Sequence, residues 1–215
     1  MDSKIKINEI FFSIQGESNS AGWPTVFIRT TGCNIRCNYC DTKYSYYEGS
    51  FLTISEILDK VKAYDTKYVC VTGGEPLAQP NTYSLVKFLC DFGYITSVET
   101  NGFYDATSLD SRALKVIDIK TPGSDEGSSF NFKNLETLQQ ADQIKFVITS
   151  DEDYEWSKSI INKHQLTQRC TVLMSPDFEN MKPQDLAEKI LKDFLHVRLQ
   201  LQLHKYIWNP HVRGV

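Results

Sequence analysis

From Tyr68 onward the chain repeats one pattern: a short apolar run, a turn, then a segment whose apolar residues recur every three or four positions. Nothing else in the sequence constrains the fold as much, because strands buried on both faces and joined by helices assemble into a parallel sheet. Strands are predicted at Tyr68 to Thr72, Tyr94 to Glu99, Val116 to Ile119, Gln143 to Thr149, Cys170 to Met174 and Val197 to Leu203. Helices are predicted at 54 to 64, from Asn81 to Gly93, and at Phe132 to Gln140, Asp151 to His164 and Pro183 to Phe194. Thr53 followed by Glu56 reads as a capping box for the first of these, and Ile54, Ile57, Leu58 and Val61 form its apolar stripe. Upstream lie an extended opening, Ile5 to Ile14, and a second apolar run, Thr25 to Thr30. A closed eight-fold β/α barrel typically needs about 250 residues. A chain of 215 therefore fits an α/β fold of another kind, an incomplete β/α barrel with a mostly parallel sheet of about six strands, in one domain spanning residues 1–215.

The formal net charge is -4 and the charged residues are dispersed, so a nucleic-acid partner is not expected. No stretch approaches the roughly 18 apolar residues of a membrane span, and the first residues lack the apolar run of a signal peptide, which predicts a cytoplasmic protein with no membrane partner. Six cysteines in a reducing compartment point to metal binding rather than disulfides.

Three of the six sit in Cys33-Asn34-Ile35-Arg36-Cys37-Asn38-Tyr39-Cys40, a C-x3-C-x2-C run where a strand gives way to a loop. Soft thiolates so closely spaced suit an iron-sulfur cluster or zinc. Three ligands leave one iron of a 4Fe-4S cube open, able to chelate the amino and carboxylate groups of an amino-acid ligand. A zinc knuckle is the competing reading, with His164, His196 or His204 as fourth ligand, but no second short cysteine motif accompanies it. Cys70, Cys90 and Cys170 stand alone in apolar patterns and read as buried thiols. About 30 residues after the cysteine loop, Gly73 and Gly74 follow the apolar strand in Val69-Cys70-Val71-Thr72-Gly73-Gly74-Glu75-Pro76. Glycines at a strand's carboxyl end let backbone approach a ligand, and the carbonyls there, with Glu75, are placed to accept from a ligand ammonium group.

The paired C-x3-C-x2-C and GGEP features resemble the radical S-adenosylmethionine (SAM) superfamily. Ser13-Ile14-Gln15-Gly16-Glu17-Ser18, Phe27-Ile28-Arg29, Cys40-Asp41-Thr42, Glu99-Thr100-Asn101-Gly102 and Leu201-Gln202-Leu203-His204-Lys205-Tyr206 together are similar to the 7-carboxy-7-deazaguanine synthase family. The resemblance implies the partial barrel of the radical SAM type. It also implies a lyase of queuosine and 7-deazapurine biosynthesis that contracts the ring of 6-carboxy-5,6,7,8-tetrahydropterin to 7-carboxy-7-deazaguanine with loss of ammonia. The implied cofactors are a 4Fe-4S cluster on Cys33, Cys37 and Cys40, SAM, and Mg2+ on Thr42. Substrate would meet Ile14, Gln15, Gly16, Glu17, Arg29 and Thr72. SAM would meet Tyr39, Asp41, Gly74, Asp118, Ile119, Lys120, Met174, Ser175, Pro176 and Asp177. A homodimer and an electron donor such as flavodoxin or ferredoxin are likewise implied. Glycyl-radical-enzyme activases share the two superfamily motifs, but often carry extra cysteine-rich insertions that this sequence lacks.

Overall fold

The computed structural model describes residues 2–215. Nine strands form one sheet: β1 (Lys4–Ile14), β2 (Pro24–Thr30), β3 (Ser50–Thr53), β4 (Tyr68–Gly73), β5 (Ile95–Thr100), β6 (Leu114–Asp118), β7 (Gln143–Ile148), β8 (Thr171–Pro176) and β9 (Arg198–Leu199). Their order is β3-β1-β2-β4-β5-β6-β7-β8-β9, so the sheet is open, with β3 and β9 at its edges. The six parallel strands β2 and β4 to β8 match the expected partial barrel. The count rises to nine because β1 and β3 pair antiparallel at one edge and the two-residue β9 is added at the other.

Helices α1 (Ile54–Lys62), α2 (Asn81–Asp91), α3 (Asp151–His164) and α4 (Pro183–Lys192) follow β3, β4, β7 and β8. Thr53 accepts from the Glu56 N–H at 3.2 Å and donates its own N–H to Glu56 Oε2 at 2.7 Å, which completes the capping box. Gly93, in the left-handed region at φ 84°, ends the turn after α2.

Two expectations are corrected. The segment Phe132 to Gln140 is not a helix but a short 3-10 turn, Phe132–Leu135. Its buried Asn134 accepts from the Ala106 N–H and donates to the Gly102 and Tyr104 carbonyls, and these sideways bonds pin the segment before a helix can propagate. The last strand, expected over Val197 to Leu203, is paired only at Arg198–Leu199. Beyond it the chain leaves the sheet and enters a one-turn helix, α5 (His204–Ile207).

Successive strand residues point to opposite faces, and this alternation decides what reaches the interior of the barrel. Val26, Ile28, Val69, Val71, Val98, Ile117, Ile119, Ile144, Phe146, Ile148, Val172 and Met174 belong to the hydrophobic core. Residues of the other parity, including Phe27, Arg29, Thr72, Glu99, Val116, Asp118, Lys145 and Val147, line a cavity toward the carboxyl ends of the strands. Open parallel sheets place ligands at that edge.

Candidate active site

The cavity measures about 250 Å³ and opens into a vestibule bordered by the chain's last residues. The loop after β2 brings Cys33, Cys37 and Cys40 to its wall. All three are free thiols; Cys37 is buried and the other two are half-buried. Burial pushes the Cys33 thiol up and Cys37 up to about 11, and for Cys37 the nearby Asp118 and the other two cysteines add to the rise. Gly74 packs against this loop so closely that an added Cβ would stand 2.2 Å from the Gly32 carbonyl oxygen and 3.0 Å from the Cys33 Cβ. Three soft donors on one cavity wall, backed by a glycine cradle, suit an iron-sulfur cluster.

Beside the thiols lie two buried polar atoms with no hydrogen-bond partner among the described residues, the Tyr39 hydroxyl and Asp118 Oδ1. The other Asp118 oxygen accepts from Lys120 Nζ at 2.9 Å, and that ammonium lies 5.6 Å from the centre of the Tyr39 ring. Both orphaned atoms are fitted to a polar ligand such as SAM. Glu75 is not available to one. It is fully buried and accepts from the Leu77 N–H, the Thr100 hydroxyl and the Asn101 N–H at 2.7 to 2.9 Å, so its role is to tie the end of β4 to the end of β5.

The rest of the wall is charged. Glu17 pairs with Lys145 and accepts from Gln202 Nε2 at 2.9 Å. Burial alone would raise the Glu17 carboxyl, but the Lys145 charge and these hydrogen bonds hold it below its ordinary value. Glu99 accepts from the Thr72 hydroxyl at 3.0 Å, and burial together with the Glu17 charge pushes it upward. Arg29 donates Nε to Glu9 at 2.7 Å, while its terminal guanidinium nitrogens have no hydrogen-bond partner among the described residues. Its guanidinium lies 5.6 and 5.9 Å from the rings of Phe11 and Tyr44, leaving a planar fork displayed to the cavity. Asp41 takes Lys205 Nζ at 2.9 Å and the Thr42 hydroxyl at 2.8 Å.

Because the sheet is open, the loop after β1 spans the gap between its two sides. Gln143 Nε2 and Arg198 Nη1 donate to Asn19 Oδ1 at 2.6 and 3.0 Å, and the Leu203 N–H donates to the Gly16 carbonyl at 3.0 Å. Ile14, Gln15, Gly16 and Glu17 thereby face the same space as the cysteines. So do Arg29, Tyr39, Asp41, Thr42, Thr72, Gly74, Asp118, Lys120 and Asp177. Ile119, Met174, Ser175 and Pro176 do not line the cavity. Ile119 and Met174 have the parity that faces the helices, and Ser175 and Pro176 are buried within the sheet. Of the residues at these two strand ends, Asp118, Lys120 and Asp177 are the ones that line the cavity.

His204, whose role sequence left open, lies on the wall, with its Nδ1 2.1 Å from where a Cβ on Gly16 would stand. Lys145, Asn101, Gln202 and Lys205 also line the cavity and were not singled out individually. For Lys145 a signal existed: a lone cation in the apolar run Gln143-Ile144-Lys145-Phe146-Val147-Ile148 is unexpected unless it is paired.

Comparison with known proteins agrees with this arrangement. Residues 27–119 match the radical SAM superfamily. A 7-carboxy-7-deazaguanine synthase from Chlorobaculum tepidum is 44% identical over 217 residues, covering 100% of this chain and 99% of the relative. The chain belongs to the 7-carboxy-7-deazaguanine synthase family. A synthase of the same name from Koribacter versatilis is 39% identical, covering 98% of this chain and 100% of that one. The crystal structure of QueE from Escherichia coli superposes with a TM-score of 0.78 over 93% of this chain and 94% of that one; at 21% identity it supports the fold. Membership of a radical SAM family brings with it a 4Fe-4S cluster and SAM. No helix among the described residues is long and apolar enough to cross a membrane.

Proposed function

We propose that this chain converts 6-carboxy-5,6,7,8-tetrahydropterin to 7-carboxy-7-deazaguanine, with loss of ammonia, as a 7-deazapurine-forming lyase. The observation that carries the reading is that one cavity joins three free thiols to an uncommitted guanidinium fork and to the Gln15-Gly16-Glu17 loop. When bound, a reduced cluster and SAM would supply the hydrogen-atom chemistry that a C–H bond beside nitrogen requires, a position no side-chain base deprotonates.

The chain's own residues bind and orient. Cys33, Cys37 and Cys40 would hold the cluster. Tyr39, Asp41, Gly74, Asp118, Lys120 and Asp177 surround SAM, with the orphaned Tyr39 hydroxyl and Asp118 Oδ1 as its nearest unused partners. Arg29 takes the substrate carboxylate in a bidentate pair, held at the correct angle because Glu9 occupies Nε alone. Gln15 and Glu17 read the polar edge of the pterin, and Thr72 adds a hydroxyl contact. The Thr42 hydroxyl donates a hydrogen bond to Asp41, so its oxygen lone pairs would be free to hold Mg2+. That ion would orient the substrate and steady developing negative charge. We further read the chain as a single cytoplasmic domain, homodimeric, reduced by a flavodoxin or ferredoxin.

Anaerobically reconstituted protein incubated with dithionite, SAM, Mg2+ and the carboxytetrahydropterin should release the deazaguanine. Failure in a sample that still cleaves SAM would remove the substrate assignment, and a protein that binds no iron would remove the reading entirely.

A further inference from the structure

The stretch Thr121 to Ser129, rich in glycine, serine and acidic residues, has no part in the chemistry above. It nevertheless folds back on itself: the Ser124 hydroxyl donates to the Thr121 carbonyl at 2.6 Å, the Glu126 N–H donates to Ser124 Oγ at 3.0 Å, and the Ser129 N–H donates to the Glu126 carbonyl at 3.0 Å. From that platform it grips the cysteine loop. Glu126 Oε1 accepts the Arg36 N–H at 2.7 Å, between Cys33 and Cys37. Gly123 and Ser124 accept, at the carbonyl, the Asn38 side-chain amide at 2.7 Å and its N–H at 3.3 Å, between Cys37 and Cys40.

The platform is anchored in turn. Asp153, fully buried in the first turn of α3, accepts the Gly123 N–H at 2.8 Å through Oδ1. Its Oδ2 accepts the Thr149 N–H at 3.1 Å and hydroxyl at 2.6 Å. A buried carboxylate so placed is satisfied only while the loop stays where it is. Gly123 has no room to spare, since an added Cβ would stand 2.3 Å from Thr149 Oγ1 and 2.5 Å from Asp153 Oδ2. Within the cysteine run itself the one backbone hydrogen bond is the Cys40 N–H to the Cys37 carbonyl, at 3.2 Å.

We propose that this loop is a brace that fixes the spacing of the three thiols, and that Glu126, Gly123 and Asp153 are its positioning residues. The proposal rests on Cys33, Cys37 and Cys40 being the cluster ligands. Arg36 Nη1 ties the Cys33 and Ile35 carbonyls and Asn101 holds Asn34, so the Cys33 end of the loop has other support. The backbone N–H groups of Arg36 and Asn38, by contrast, depend on the brace, and ligand orientation set from outside governs how firmly metal is kept.

The test compares wild type with Glu126→Ala, Glu126→Gln and Gly123→Ala after anaerobic reconstitution. Iron and sulfide per chain, the electron paramagnetic resonance signal of the reduced cluster, the rate of iron loss to a chelator, and the thermal midpoint of the iron-free protein are measured. Both alanine variants should lose iron about tenfold faster, the scale on which outer-shell partners act. Glu126→Gln, which keeps an oxygen for the Arg36 N–H, should restore the wild-type rate. The iron-free midpoints of both Glu126 variants should coincide with that of wild type, whereas Gly123→Ala, whose Cβ meets Thr149 and Asp153, should lower its own. Wild-type rates in both alanine variants would overturn the brace, as would an iron-free midpoint that falls with Glu126→Ala. A wild type without iron would instead remove the ligand assignment.

Discussion

Two regions of one cavity solve opposite problems. Where the cysteines gather, groups are desolvated and left without partners: Cys37 is pushed up to about 11 by burial, and the Tyr39 hydroxyl has no hydrogen bond among the described residues. Around Glu17, charge is abundant but already paired, as in Glu17 with Lys145, Arg29 with Glu9, and Asp41 with Lys205. The first region is unfinished without a metal centre. The second is largely paired, with Glu99 the carboxyl that has no ion pair among the described residues, so a ligand there must exploit the fork that Arg29 keeps free, meet Glu99 or share an existing pair.

The contrast breaks most sharply on single substitutions. Cys37→Ala should reduce both iron retention and 5'-deoxyadenosine formation to background, while lowering the stability of the iron-free protein at pH 7 only by the lost packing of a buried sulfur, about 1 kcal/mol. Lys145→Met should do the reverse. It leaves Glu17 buried without its cation, which costs about 3 kcal/mol or more in urea unfolding, and the double variant with Glu17→Gln should recover most of that loss. If Lys145→Met is neutral alone, the charged region is not self-paired in the sense argued. Arg29→Lys should follow in size, raising KM for the pterin by about 10-fold to 100-fold, the equivalent of roughly 1.5–3 kcal/mol for a lost charged hydrogen bond, with SAM cleavage preserved.

Proton linkage sharpens the same comparison. A thiol whose folded pKa exceeds its ordinary value favours the folded state while protonated. For Cys37 that contribution is complete below about 9 and disappears as pH climbs through about 11. The iron-free protein should therefore lose stability over that window, and Cys37→Ala should flatten the loss. Cluster assembly has the opposite sign, since the thiols must shed protons to bind iron, and should quicken as pH rises from 7 toward 9. An assembly rate independent of pH would mean that thiol ionisation does not limit iron binding.

The two regions were also unequally legible. The cysteine loop was plain because three ligands of one chemistry sit within eight residues. The central strands were equally plain, since Val69-Cys70-Val71 is the short continuous apolar run that a strand buried on both faces demands. The charged region was not, because Glu17 and Lys145 stand 128 positions apart and meet only once β7 and the loop after β1 are brought together. Strand alternation similarly places the Ile119 and Met174 side chains in the core: a motif drawn around a strand end includes both parities, and only one turns its side chains to the cavity. The last strand failed for a related reason. Val197 to Leu203 has the period of two, but Gln202 bonds across the cavity to Glu17 and the Leu203 N–H to Gly16, so the segment breaks from the ladder to close the gap.

That gap-closing segment leads into a tail whose contribution is the smallest of those considered and separates stability from function most cleanly. Arg213 pairs with Glu48 at 3.1 Å while both remain more than half exposed, an arrangement worth less than about 1 kcal/mol. Its guanidinium also lies 3.8 Å from the centre of the Tyr44 ring, and Tyr44 donates to Glu9, the same carboxylate that holds Arg29. Arg213→Ala should therefore leave the thermal midpoint nearly unchanged. It should also raise KM for the carboxylated pterin by a few-fold, and not KM for SAM, because the loosened ring lets Glu9 and then Arg29 wander. Glu48→Gln, which removes the ion pair but keeps the stacking, should have the lesser effect on KM. Equal effects from the two variants would place the tail's influence in the exposed pair and detach it from the fork.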